Sequence, residues 1–155
     1  MDRVAVALGS NLGDRRGHLD HAVAALQHLL CNLSVSLYYD TVPVGVLGPQ
    51  PVYLNAAAVG ETPLPARALL DALMAIEGTR GRTRPYPNAP RTLDLDLILF
   101  GENVIDEPGL VVPHPRFRER RFVLQPLAQI APDLRDPVSG KTVGELLATL
   151  RPPSA

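Results

Sequence analysis

Residues 93–100 read Leu-Asp-Leu-Asp-Leu-Ile-Leu-Phe. Leucine at every odd position is the period-two pattern of a strand with one buried face. The other face then carries Asp94 and Asp96. Positions two apart on a strand share a face and lie ~6.6 Å apart along the chain. Aspartate is disfavoured in strands, and two carboxylates this close repel unless a cation lies between them. Two readings are open on these residues alone. One is an exposed strand face that begins at a loop. The other is a magnesium site, since magnesium is bound through one or two carboxylates plus substrate phosphates, and two ions could serve a phosphate ester from both sides.

A strand of this kind needs partners, and the rest of the chain supplies them. Residues 3–8 alternate as a first strand, with Val4, Val6 and Leu8 on one face. Gly9-Ser-Asn-Leu-Gly13 is turn chemistry. The spacing of Leu19, Ala22, Val23, Leu26, Leu29 and Leu30 predicts a helix over 14–30. Residues 33–39 alternate as a second strand and 53–60 form a third. Pro63 and Pro65 precede a second helix with the stripe Leu69, Leu70, Leu73 and Ile76, and Gly78 is expected to end it. Strand, helix, strand, strand, helix, strand is the split βαβ order. The fold class is therefore α+β, a ferredoxin-like βαββαβ core with C-terminal helical and extended additions. The additions comprise an extended piece after Gly101, a helix near 120–130 and a last helix near 143–150. Gly140-Lys-Thr142 resembles the end of a phosphate-binding loop, but Arg135 stands where that motif needs glycine. Thr142 is instead an N-cap with Glu145 as its capping-box partner.

With 155 residues the chain suits one domain, 1–155, with one ordinary core. Net charge is -1, which gives no global basic field to recruit nucleic acid or a membrane. The single Cys31 allows no intrachain disulfide, no run approaches the ~20 apolar residues of a membrane span, and the N-terminus reads as a strand. A cytoplasmic location is expected.

The basic residues are uneven. Fourteen of the fifteen are arginine, four of them between Arg80 and Arg91 and four between Arg116 and Arg121. Arginine favours bidentate phosphate recognition, so two arginine-dense loops suggest a local anion site, although solvated loops would look the same. Tyr53 and Asn55 share a strand face beside small alanines. An asparagine amide matches the amide edge of a heterocycle and an aromatic ring can stack on one, or the asparagine is satisfied by backbone. His114, between two prolines, could donate to a phosphate or be an ordinary loop histidine. His18 and His21 are spaced as a metal pair, but with no third ligand in the sequence they read as surface histidines.

Taken together, Ala7-Leu-Gly-Ser-Asn-Leu-Gly13, Tyr53-Leu-Asn-Ala-Ala57, Ile76-Glu77, Gly81-Arg-Thr-Arg84, Ala89-Pro-Arg-Thr-Leu-Asp-Leu-Asp-Leu-Ile-Leu-Phe-Gly101 and Pro113-His-Pro-Arg116 with Arg120–Pro132 resemble the 6-hydroxymethyl-7,8-dihydropterin pyrophosphokinases of folate biosynthesis. The matches run in the family's order over nearly the whole chain. The resemblance implies transfer of pyrophosphate from ATP to the pterin's hydroxymethyl group, with release of AMP. It implies that Asp94 and Asp96 hold two Mg2+ ions, one across the α- and β-phosphates and one across the β- and γ-phosphates. Arg82 and Arg91 would clamp the transferring phosphates. Glu77, Arg84, His114 and Arg120 match positions lining the ATP site, and Leu97, Leu110 and Val111 match its walls. Tyr53, Asn55 and Phe122 match the pterin pocket, with Asp94 beside it and Thr41, Pro43 and Val44 as its loop wall. Other enzymes of the folate pathway are possible partners.

Two other classes compete with this expectation. A ferredoxin-like module that binds nucleotide or RNA without catalysis would stack bases on sheet aromatics, yet aromatic content is only 5% and paired aspartates would repel phosphates. A metal-dependent phosphohydrolase would need a water-positioning group, and none stands out. Closure of the loops 41–52 and 79–92 is expected to exclude water and so separate transfer from hydrolysis.

Overall fold

The computed structural model describes residues 1–41, 52–80 and 92–150. Strand β1 (Asp2–Ser10) is central and pairs antiparallel with β4 (Tyr53–Thr62) on one side and β5 (Asp94–Phe100) on the other. Beyond β4 lie two short strands, β2 (Cys31–Val35) and β3 (Tyr39–Thr41). The order β2-β4-β1-β5, with helix α1 (Arg15–Leu29) after β1 and helix α2 (Ala66–Gly78) after β4, is the expected split βαβ arrangement. A hairpin of β6 (Ile105–Glu107) and β7 (Leu110–Val112) follows, then a 3-10 turn at Phe117–Glu119 and helices α3 (Arg121–Ile130) and α4 (Val143–Thr149).

The sheet is covered on both faces. Leu19, Ala22 and Leu26 of α1 and Leu69 and Leu73 of α2 pack on Val4, Val6, Leu8, Leu95 and Leu97. Phe117, Val123, Leu124 and Leu127, backed by Val143 and Leu146 of α4, cover Ala5, Ala57, Val59 and Leu99 on the opposite face. Alanine at 57 keeps the sheet surface low enough for α3 to approach. Asp14 caps α1 by accepting from the Gly17 N–H at 3.0 Å. Glycine is required at 17, since a Cβ there would lie 2.1 Å from Asp14 Oδ2. Thr142 and Glu145 form the expected capping box on α4.

Three sequence expectations are corrected. The leucines of β5 do not all share one face. A bulge between Ala5 and Val6 sets Ala5 opposite Leu99 but Val6 opposite Leu97, so Leu93, Leu95 and Leu97 join the α1/α2 side while Ile98 and Leu99 join the α3 side. The strand expected over 33–39 is split, because Ser36 takes over the ladder. Its Oγ accepts from the Ala57 N–H at 2.9 Å and donates to the Leu37 carbonyl at 2.7 Å, and the chain turns before β3. Gly78 is the last residue of α2, as expected, but it is not a left-handed cap: Thr79 closes the helix in right-handed geometry with its Oγ1 donating to the Ile76 carbonyl.

Candidate active site

The register of the sheet brings the singled-out polar residues to one end of one face. Gly9 is opposite Asn55 on one side and Asp94 on the other. Ala7, one row below, is opposite Ala57 and Asp96. Because Ala57 packs under α3, both rows lie on the α3 side. Tyr53, two residues before Asn55, shares that face and pairs with Thr41. Asn55 is buried and its Nδ2 donates to Thr41 Oγ1. Its Oδ1 lies 3.1 Å from where a Cβ on residue 9 would be, so glycine there makes room for the amide. Asp94 and Asp96 are half-buried. Two hydroxyls at this end, Ser10 Oγ and Thr92 Oγ1, are buried with no hydrogen-bond partner among the described residues.

The outer edge of β5 is held by two other segments. Glu77 of α2 is buried, and its Oε2 accepts from the Leu95 N–H at 2.7 Å, between the two aspartates. The His114 N–H donates to the Ile98 carbonyl at 2.9 Å. A cavity of about 240 Å³ opens along this edge, lined by Leu70, Asp96, Leu97, Leu110, Val111 and His114 among others. Asp96 therefore borders both the cavity and the polar rows. Arg67 of α2 ties down the far rim by donating to the Pro108 carbonyl at 3.1 Å and to Glu107 at 3.0 Å.

His114 faces charge from three sides. Burial pushes its imidazole below the ordinary value of 6.5, Arg120 and Arg116 push it further, and Asp94 pulls it back. The ring is neutral at pH 7. Its Nδ1 accepts from the Arg116 N–H at 3.2 Å, so the proton sits on Nε2, which is left as a donor. The Arg120 guanidinium lies 5.5 Å from the centre of the exposed Phe122 ring, a cation–π contact at the start of α3.

The sheet end thus gathers Tyr53, Asn55, Asp94 and Asp96. The segment 113–122 contributes His114, Arg120 and Phe122, and Leu97, Leu110 and Val111 form the cavity wall. Arg82, Arg84, Arg91, Pro43 and Val44 lie outside the described residues, as does most of both long loops. A family model for 7,8-dihydro-6-hydroxymethylpterin-pyrophosphokinase matches residues 5–132, from within β1 to just past α3. The chain belongs to that pyrophosphokinase family. It is 47% identical over 150 residues to the 2-amino-4-hydroxy-6-hydroxymethyldihydropteridine pyrophosphokinase of Pseudomonas aeruginosa, covering 96% of this chain and 91% of that one. It is 47% identical over 133 residues to the protein of that name from Bacillus subtilis, covering 84% and 79%. The fold also superposes on wild-type HPPK-DHPS of Plasmodium falciparum with pteroate, at a TM-score of 0.75 and 13% identity. That match covers 95% of this chain but 42% of the Plasmodium chain, so this chain spans less than half of it.

Within the pyrophosphokinase frame, the described part of the site offers carboxylate oxygens on β5, a largely aliphatic cavity wall, and Arg120 and Arg116 near His114. Two carboxylates at alternate strand positions suit a hard divalent cation, and substrate phosphates would complete its shell. Among the described residues no group of three or more His, Cys, Asp or Glu side chains forms a metal site by itself. His18 and His21 are otherwise engaged. His18 Nδ1 accepts from Arg80 Nε at 2.9 Å, and His21 Nε2 lies 2.9 Å from Thr79 Oγ1. These bonds fasten α1 to the end of α2. Sequence reasoning missed them, and it missed the burial of Glu77 beneath β5, because both depend on contacts between distant segments.

Proposed function

We propose that the Asn55–Gly9–Asp94 row, with Asp96 one row below, is where this chain transfers pyrophosphate from ATP to the hydroxymethyl group of 6-hydroxymethyl-7,8-dihydropterin. The reaction follows from family membership. The location rests on one observation. The sheet register aligns an amide and two carboxylates beside an apolar cavity on the edge of the same strand.

In this reading the pterin lies over Gly9, with its amide edge on Asn55 and its ring against Tyr53 and Phe122, and Thr41, Pro43 and Val44 wall the pocket. The adenine enters the cavity walled by Leu97, Leu110 and Val111. The pterin hydroxyl oxygen forms a bond to the β-phosphorus as the bond to the α-bridging oxygen breaks. AMP leaves, and the hydroxyl proton passes to solvent. Asp94 and Asp96 would hold two Mg2+ ions, which when bound offset phosphate charge and lower the hydroxyl pKa. His114 donates from Nε2–H to a phosphate oxygen, and Arg120 adds charge beside it. Arg82, Arg84 and Arg91 are assigned to the phosphates as well. Glu77, whose Oε2 accepts from the Leu95 N–H between Asp94 and Asp96, is assigned to the ATP site beside them.

Residues 1–155 would act as one pyrophosphokinase domain. No helix among the described residues is long and apolar enough to cross a membrane, and the exposed free thiol of Cys31 suits a reducing cytoplasm. The Plasmodium HPPK-DHPS chain joins two activities in one polypeptide, which supports a folate-pathway enzyme as a partner here.

The test is to incubate the protein with ATP, Mg2+ and the pterin alcohol and to resolve the nucleotides and pterins by chromatography. AMP is expected in step with pterin pyrophosphate, and only with both substrates present. ADP and phosphate formed without dependence on pterin would contradict the reading.

A further inference from the structure

Asp136 has no exposed surface, and it lies past residue 132, where the family match ends. Both of its carboxylate oxygens are fully engaged. Arg118 donates to them as a fork, from Nε to Oδ2 and from Nη2 to Oδ1 at 2.9 Å. The Val138 N–H donates to Oδ1 at 3.0 Å, and the Ser139 N–H and Oγ donate to Oδ2 at 3.3 and 2.6 Å. Burial pushes this carboxyl upward, but the bonds from Arg118, Ser139 and Val138 outweigh it and hold the group well below the usual carboxylate range. The turn that carries Asp136 is itself closed, with Asp136 N–H donating to Lys141 O and Gly140 N–H to Asp136 O, both at 2.8 Å.

Arg118 sits in the middle of the segment that carries the candidate site residues. The His114 carbonyl accepts from the Phe117 N–H at 3.3 Å, and the Phe117 carbonyl accepts from the Arg120 N–H at 3.2 Å. The Arg120 carbonyl in turn accepts from Val123 and Leu124, both at 3.0 Å, which starts α3. Phe117 is wholly buried and sets the depth of this 3-10 turn. One buried ring does not fix rotation about its own axis, whereas a planar two-point fork does. The neighbouring arginines are placed differently. Arg116 meets Glu119 at 3.5 Å on the surface, and Arg120 lies over Phe122.

We propose that the Arg118–Asp136 pair is a positioning device for pyrophosphate transfer, locking residues 114–122 so that His114 and Arg120 meet the nucleotide phosphates and Phe122 meets the pterin. The inference rests on the site reading given above. It assigns the turn at 135–142, outside the family match, a role in substrate affinity. A purely structural pair would change the melting temperature and leave the kinetics of the folded protein alone.

The experiment compares wild type, Asp136→Asn and Arg118→Lys. Each is assayed at a temperature where circular dichroism shows it folded, with ATP and pterin varied separately, and each is titrated with a non-hydrolysable ATP analogue. In Asp136→Asn, which keeps the shape but loses the charge, KM for ATP is expected to rise about tenfold or more, with a smaller change in kcat. Arg118→Lys keeps the charge but not the fork, so it should fall between that variant and wild type. Folded Asp136→Asn with wild-type KM values and wild-type analogue affinity overturns the proposal. If Asp136→Asn does not fold, Arg118→Lys decides, and an unchanged KM for ATP then overturns it. Absence of transfer in wild type would sink only the site reading, because analogue affinity across the variants still tests the lock.

Discussion

The α3-facing side of the sheet is two surfaces joined end to end. In its lower half Ala5, Val59 and Leu99 are sealed under Phe117, Val123, Leu124 and Leu127, with Ala57 in the boundary row beside Asp96. In its upper half the same strands present Asn55, Asp94, Asp96 and Tyr53. Aspartate is disfavoured in strands and two carboxylates on one face repel, so the upper half gives up stability to present donors and acceptors, while the lower half is built for it. The bulge in β5 is where one becomes the other. It turns Leu99 toward α3 while leaving Asp94 and Asp96 on that same face. Two substitutions on one strand face should then have opposite consequences.

Asp96→Ala should show the largest effect. If this carboxylate holds metal at the phosphates as proposed, its loss is worth several kcal/mol in the transition state, about a thousandfold or more in turnover. Its melting temperature should stay close to that of wild type, because the side chain is half-exposed. Scanning calorimetry alongside the chromatographic assay checks both halves of the statement. Leu99→Ala should do the reverse. A cavity under α3 should cost about 2–5 kcal/mol in denaturant unfolding, with kcat near wild type wherever the variant is folded. Large activity loss in folded Leu99→Ala would erase the division between the two halves.

Asn55→Ala is expected to raise KM for the pterin roughly tenfold to a hundredfold while leaving KM for ATP nearly unchanged, since a site amide would be lost from one substrate only. Equal rises in both would mean that Asn55 serves the sheet, through Thr41, and not the pterin. The smallest effect concerns pH. The folded protein binds a proton at His114 less readily than the unfolded chain does, so His114 favours folding above 6.5 and opposes it as pH falls through and below 6.5. Between pH 7 and pH 5 wild type should lose slightly more unfolding free energy than His114→Gln in parallel urea titrations. Identical slopes would mean that neither burial nor the charges of Arg120, Asp94 and Arg116 shift His114 on folding.

Much of this division is legible in the chain itself. The Leu-Asp-Leu-Asp alternation marks a strand with a polar face, and the order of periodicities leads to the split βαβ sheet. What the sequence does not display is register. Gly9 between Asn55 and Asp94 joins three segments far apart in the chain, and only the paired strands bring them into one row. The bulge that redirects Leu99 is equally silent, because the leucine pattern continues unbroken through it. Local patterns also mislead where a side chain replaces a backbone bond, as Ser36 does when it ends the ladder that Leu33, Val35 and Leu37 would extend. The arginine cluster at 116–121 looks uniform in sequence. In the fold Arg118 turns inward to Asp136, eighteen residues on, while Arg120 stays beside Phe122.

The most direct test of the divided face is to count the cations it holds. Mn2+ in place of Mg2+ can be titrated into the protein with a non-hydrolysable ATP analogue, and free Mn2+ read by electron paramagnetic resonance. Two bound ions per chain are expected in wild type and fewer in Asp96→Asn, with the fold of the variant intact. The same stoichiometry in both proteins, equal to that of the analogue alone, would show that Asp94 and Asp96 hold no metal and would contradict the account.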